Sequence, residues 1–353
     1  MDKQITQEEL PLLSVLILAF NIEKELLDRC VSSVVQQTYT NLEIMLVNNA
    51  SIDNTGIFCD EWSQKDDRIL VVHNQVGISP REMAKRVTGE YVHILDHDDW
   101  LAPETYSKMM SAMLSTNSDI ARCEFCYAFP DGKIEHRNNI HHTDSFEIIG
   151  HAEGVQLLLK DDEWKSYIWQ NIYKKHLLDF WPPAPMKVYG DLANTHILFH
   201  HARQSVYLHD EFYHYYQRSG SIVNPLSVQG KMVKNHRRSN AIYLRYLFVK
   251  QNPEYHSMIQ AIKKEATIQG LVSLWDIIDY PQYFPEHSYE EKSQWLKQLS
   301  LSVRDGIFFF FNLDLLILRK FPRCYPPFYK LFYRNLKRIK AIKKFANKNR
   351  DLD

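Results

Sequence analysis

The sequence predicts an α/β fold: a sheet flanked by helices, followed by a mostly helical C-terminal region. Three observations predict it. Short apolar runs alternate with helix-period segments through the first half, the pattern of helices packed on a sheet. The runs are near-continuous, as in parallel strands covered on both faces. Polar residues follow three of them, at Asn21, at Asn48-Asn49 and from Asp96 to Asp99. In such sheets ligands gather beyond the carboxyl ends of the strands.

Taken in order, Leu13 to Ala19 (LSVLILA) reads as the first strand. Leu27, Cys30, Val31 and Val34 then recur at helical spacing. Glu43 to Val47, Ile69 to His73 and Tyr91 to Leu95 read as three further strands, the last running into the acidic cluster. A helix is expected from Pro103, in its first turn, to about Leu114. From Gly150 to Asn224 the chain is rich in Trp and Tyr, with a turn at Pro182-Pro183-Ala184-Pro185. A helix from Ala193 to His201 precedes a strand-like Ser205 to Leu208. Beyond Asn224, Gln229 to Lys250, Tyr255 to Ile278 and Ser288 to Leu301 carry helical periodicity. The expected divisions are an extension at 1–12, a main domain at 13–224 with a break near 125, a helical region at 225–318 and a tail at 319–353.

Five scattered cysteines, an odd number, exclude a disulfide framework and suit a reducing cytoplasm. Cys123 and Cys126 form a lone C-x-x-C without a second pair or a histidine at zinc spacing, and read as buried thiols on a strand and its turn. His141-His142 and His200-His201 lack partners in sequence for metal binding. The opening Met1-Asp2-Lys3-Gln4 has no apolar signal region. No stretch reaches the roughly 18 apolar residues of a spanning helix. A cytoplasmic protein is the expectation.

The chemistry concentrates at Asp96-His97-Asp98-Asp99. Carboxylates this close raise one another's pKa or recruit a cation. Carboxylate oxygens suit Mn²⁺ or Mg²⁺, and such sites use one or two carboxylates plus substrate phosphates. An ion so held can neutralise a departing diphosphate. The competing reading is an Asp-rich turn before the following helix, and it is strongest for Asp99.

Several motifs near this cluster fall in a familiar order. Ser14 to Asn21 (SVLILAFN) is followed by Gln36-Gln37-Thr38-Tyr39 with Asn41-Leu42-Glu43, then by Val47-Asn48-Asn49-Ala50-Ser51-Ile52-Asp53. Gly89-Glu90-Tyr91 and Asp96-His97-Asp98-Asp99-Trp100 complete the series. Together, from Leu13 to Leu101, they resemble the nucleotide-binding half of the family-2 glycosyltransferases of GT-A fold. The resemblance implies a GT-A (Rossmann-like) mixed sheet, a nucleotide-sugar side at 13–125 and an acceptor side at 126–224. It also implies a UDP-sugar donor, Mn²⁺ or Mg²⁺, and a saccharide or lipid-linked acceptor of a bacterial surface glycan.

Residue by residue, Asn48 falls where a carboxylate usually reads the uracil edge, and an amide oxygen can accept from the same N–H. Asp96 would meet the ribose and share the metal with Asp98, the principal ligand, with Asp99 in support. Ala19 and Asn21 would line the base and ribose pocket, and Arg81 corresponds to an arginine two residues out of register. Asp191, in Val188-Tyr189-Gly190-Asp191-Leu192, falls where the family places its general base, with Gly190 in place of a glutamate. The alternative for Asp191 is a helix cap. Glu211-Phe212-Tyr213-His214-Tyr215 is similar to the closing E-x-x-Y-x-Y. A single displacement by a base-activated hydroxyl inverts the anomeric centre. Trp169 and Trp181 are candidate acceptor-side platforms, and Arg218 is a candidate diphosphate contact. A sugar nucleotidyltransferase would need the same base pocket and metal carboxylates without Asp191. A catalytically dead sugar-binding scaffold is the non-enzymatic alternative, suggested by Asn48 and Gly190.

From Arg319 to Arg350 there are 12 Lys and Arg and no Asp or Glu, against 30 and 41 in the preceding 318 residues. Aromatics interleave with the basic residues. Peripheral contact with anionic lipid on the inner face of a membrane is the expectation, ahead of a solvated helix or oligomer contact, and nucleic acid is not expected.

Overall fold

The computed structural model describes residues 10–137, 146–183, 189–218, 227–299 and 309–332. His141-His142, Ala184 and Pro185 of the expected turn, the boundary at Asn224 and the tail beyond 332 lie outside them. The chain forms two compact units, residues 1–218 and 219–353.

The first unit runs β1 (Leu13–Ala19), α1 (Lys24–Val35), β2 (Leu42–Asn49), α2 (Thr55–Ser63), β3 (Ile69–Asn74), α3 (Pro80–Ala84), β4 (Tyr91–Asp96) and β5 (Trp100–Leu101). It continues with α4 (Thr105–Ser115), β6 (Ile120–Ala128), β7 (Ile134–His136), β8 (Phe146–Gly150), α5 (His151–Lys160), β9 (Asn171–Lys174), α6 (Gly190–His201) and β10 (Gln204–Tyr216). One mixed sheet has the order β3-β2-β1-β4-β9-β6-β10-β5, with β7 beside β6 and β8 beside β10. The four strands expected from the apolar runs form its parallel half. Leu13, Val15, Leu16 and Ile17 of β1 are wholly buried, because α1 and α4 cover the sheet with Leu27, Cys30, Val31, Val34 and Met109, Met110 and Met113. β9 pairs antiparallel with β4 and β6 and joins the two halves.

Boundaries in this unit differ from the sequence reading. Pro103 stands before α4 rather than in its first turn, because its carbonyl accepts the Thr38 N–H at 3.0 Å. The strand at Ser205 continues through Glu211 to Tyr216, since bulges after Leu208 and Glu211 let β10 follow β6 past the irregularity. Cys123 and Cys126 both lie within β6, buried and free; three residues apart on a strand, they point to opposite faces.

The second unit contains α7 (Val228–Gln251), α8 (Ile259–Asp279), α9 (Ser288–Leu296), α10 (Phe309–Lys320) and α11 (Tyr325–Phe332). The helix expected from Tyr255 begins at Ile259, after a 3₁₀ turn over Pro253–Met258. α8 is buried nearly all round. Part of the expected tail belongs to this core. Tyr325 and Tyr329 are buried, the Tyr325 hydroxyl accepts from Trp275 Nε1 at 3.0 Å, and the Tyr329 hydroxyl donates to Asp279 at 3.0 Å. No helix among the described residues is long and apolar enough to cross a membrane.

Candidate active site

β4 ends at Asp96, and a turn closed by Asp99 N–H to the Asp96 carbonyl (3.3 Å) returns the chain as β5. β5 pairs antiparallel with β10, Leu101 opposite Tyr213 and Trp100 opposite His214. That pairing is secured by Asp99, which is wholly buried. Its carboxyl accepts from the Tyr213 hydroxyl at 2.5 Å and the Tyr216 N–H at 2.7 Å. Asp99 is thus spent on the scaffold. His97 donates from Nδ1 to the Leu18 carbonyl at 2.6 Å and ties the turn to the end of β1.

The remaining carboxylates face a different environment. Burial first, then the charges of Asp98 and Asp191, push the Asp96 carboxyl up to about 7. The two carboxylates singled out from opposite halves of the sequence therefore share one electrostatic site. Asp98 accepts from Arg218 Nε at Oδ2 (2.9 Å), and its Oδ1 takes no hydrogen bond among the described residues. Arg29 of α1 donates to the Asp98 carbonyl at 3.0 Å, and its guanidinium lies 3.8 Å from the Trp100 ring and 4.3 Å from the Tyr216 ring.

Asp191 does not cap α6. The cap position is Tyr189, in the left-handed region at φ 63°, and Asp191 lies in the first turn with Oδ1 accepting the Leu192 N–H at 2.7 Å. Its charge also acts on Tyr215 of β10 and Tyr173 of β9.

At the ends of β1 and β2, Asn21 (φ 45°) donates its N–H to Ser51 Oγ at 3.2 Å and accepts the Ile52 N–H at 3.0 Å. Asn48 Oδ1 accepts the Ser51 N–H at 3.2 Å. The two asparagines shape the β2–α2 turn that borders the crevice.

Three expectations are corrected. Ala19 is wholly buried and supports its register partner Asn48 instead of facing a ligand. Trp169 is 3 % exposed, with Tyr213 stacked at 4.0 Å and Tyr167 at 4.6 Å. Trp181 is 4 % exposed. Neither offers a sugar a free face, because both are consumed by the core. Arg81 lies in α3, its Nε buried without a hydrogen-bond partner, and keeps its place as a candidate nucleotide contact. Conversely, Arg29, Tyr213, Tyr216 and the His73–Asp60 pair were not found from sequence. The two tyrosines lie in or beside the closing motif at 211–216, whereas Arg29 carried no local signal.

Two carboxylates with no third ligand suit a divalent cation that completes its shell with phosphate oxygens. Among the described residues no group of three or more metal-ligating side chains occurs, so a full protein cage is excluded there. Asp98 Oδ1 and the raised Asp96 carboxyl fit such an ion.

Residues 14–182 match the family described as "Glycosyl transferase family 2". Glycosyltransferase GlyA of Streptococcus pneumoniae serotype 4 is 26 % identical over 218 residues, which cover 60 % of this chain and 31 % of GlyA. The match thus spans about a third of that relative. S. aureus TarS 1–349, solved in complex with UDP-GlcNAc, superposes with a TM-score of 0.52 at 16 % identity, covering 91 % of this chain and 93 % of that one. Mannosyltransferase PcManGT from Pyrobaculum calidifontis, solved with GDP-Man and Mn²⁺, gives 0.50 at 12 %, covering 95 % and 91 %. The likeness to both is one of fold, the GT-A type of mixed sheet with flanking helices. Residues 14–182, just under half of the chain, thus carry a glycosyl transferase family 2 domain.

Proposed function

We propose that the chain transfers a sugar from a UDP-sugar to a hydroxyl of a saccharide or lipid-linked acceptor, with inversion at the anomeric carbon. The observation that carries this reading is the shared electrostatic site of Asp96, Asp98 and Asp191 at the carboxyl end of β4 and the start of α6. UDP-GlcNAc in the TarS complex supports a uridine donor, and Mn²⁺ in PcManGT supports a divalent ion.

Asn48 accepts from the uracil N3–H, and Asn21 holds the turn beside it. Asp98, with Asp96, would hold Mn²⁺ or Mg²⁺, which when bound offsets the charge that grows on the departing diphosphate. Arg218, which pairs with Asp98, would supply charge-assisted hydrogen bonds to that diphosphate. Asp191 takes the acceptor hydroxyl's proton as the new bond forms on the face opposite the leaving group, and one displacement inverts the centre. Acceptor identity depends on surfaces near β9, α6 and β10. The basic segment beyond 332 gives the enzyme a peripheral hold on anionic lipid.

Asp191→Asn tests the assignment. Transfer is expected to fall by about 10²- to 10⁴-fold, the typical contribution of a positioned base, while UDP affinity stays within about threefold. Parent-like transfer would remove Asp191 from the mechanism, whereas absence of sugar transfer by the parent itself would favour the nucleotidyltransferase reading.

A further inference from the structure

Asn48 and His73 are register partners at the ends of β2 and β3. The Ser51 N–H donates to Asn48 Oδ1 at 3.2 Å, which fixes the oxygen end of the amide. The other end, Nδ2, lies 3.1 Å from His73 Nδ1. An amide nitrogen is only a donor, so His73 Nδ1 accepts and the ring carries its proton on Nε2. That nitrogen lies 3.0 Å from Asp60 Oδ1, which accepts it. Gly56 of α2 passes so close that a Cβ there would stand 2.8 Å from Asn48 Nδ2. The chain Asp60–His73–Asn48–Ser51 thus assigns every donor and acceptor along it.

We infer that His73, held by Asp60, is a positioning residue that makes the base pocket choose uracil over cytosine. The inference rests on the proposed reading of Asn48 as the residue that faces the base edge. Uracil offers an N–H at N3 flanked by two carbonyls, whereas cytosine offers a bare N3 beside an amino group. A carboxylate suits only the first. An asparagine suits both, because turning the amide over exchanges its donor and acceptor ends. Here Oδ1 keeps one lone pair after serving Ser51, and Nδ2 keeps one hydrogen after serving His73, which together match uracil N3–H and an adjacent carbonyl. Turned over, Nδ2 would meet the Ser51 N–H, and Oδ1 would meet the lone pair of His73 Nδ1. Selectivity arises from these two repulsive contacts as much as from the attractive ones. Asn48 therefore does a carboxylate's work only with His73 in one tautomer.

The test compares UDP and CDP affinities of the full chain by isothermal titration. The parent is expected to prefer UDP. His73→Ala, at a half-exposed position whose loss a thermal melt should barely register, is expected to lower the UDP-to-CDP affinity ratio by about fivefold or more, the worth of one well-placed hydrogen bond. Asp60→Ala should move the ratio the same way. In an Asn48→Asp background, where no donor end exists to be turned, His73→Ala should leave the ratio unchanged. An unchanged ratio in the single variant, or an equal change in both backgrounds, overturns the role of His73. A parent that binds UDP and CDP alike overturns the reading of Asn48 and this inference with it.

Discussion

Three aspartates within four residues do three different jobs, and their surroundings decide which. Asp99 is buried and spent on Tyr213 and Tyr216. Asp98 pairs with Arg218 through one carboxylate oxygen and keeps the other without a hydrogen bond among the described residues. Asp96 sits between, raised by burial and by its acidic neighbours. Removing a partner from a buried carboxyl costs about 1–3 kcal/mol, so Tyr213→Phe should lower the unfolding free energy by that much, read as a lower urea midpoint at an unchanged m-value. It should also weaken Mn²⁺-dependent donor binding, because β5 no longer seats the turn. A variant as stable as the parent would show that the Tyr213–Asp99 bond does not secure β5. The acidic run itself was legible from sequence, since three carboxylates after an apolar strand demand neutralisation. The assignment of Asp99 to the scaffold was legible only as an alternative, because its partners lie 114 and 117 residues away. Trp169 and Trp181 misled because an aromatic side chain suits a sugar platform and a core equally, and only burial separates the two.

At the scale of elements, near-continuous apolar runs located β1 to β4; β1, β2 and β4 are largely buried, as strands covered on both faces are, whereas β3 buries only Ile69 at the sheet's edge. β5, β8 and β9 gave none. β5 has two residues, β8 is mostly exposed, and β9 owes its place to pairing with β4 and β6. β4 is also fastened by a histidine. His93 is buried, its Nε2 donates to the Trp169 carbonyl at 2.7 Å, and its Nδ1 accepts from the Tyr106 hydroxyl at 2.9 Å. Burial pushes it down from 6.5 to about 4. The unfolded chain therefore binds this proton more readily. The stabilisation is complete above about pH 6.5 and is lost as pH falls toward 4, a difference of about 3 kcal/mol. Denaturant titrations of the parent and His93→Gln from pH 8 to pH 4 should show their stabilities converging as pH falls. A gap independent of pH would contradict the neutral, buried histidine.

At the scale of the whole molecule, the residues proposed for catalysis belong to the first unit, and the second adds a helical body followed by a strongly basic sequence. Because Tyr325 and Tyr329 are core residues, the segment proposed for lipid contact is drawn back to residues beyond 332, where the sequence reading had begun it at 319. Deleting 333–353, which carry eight Lys and Arg, should leave the melting temperature unchanged and lower co-sedimentation with phosphatidylserine vesicles. Undiminished binding would place any membrane contact elsewhere. The central claim concerns the acidic turn, and release of UDP from a panel of UDP-sugars in Mn²⁺ tests it most directly. The account predicts turnover of at least one donor by the parent, abolished by chelation and by Asp98→Ala. Turnover that survives Asp98→Ala, or its absence from the parent with every donor, would contradict it.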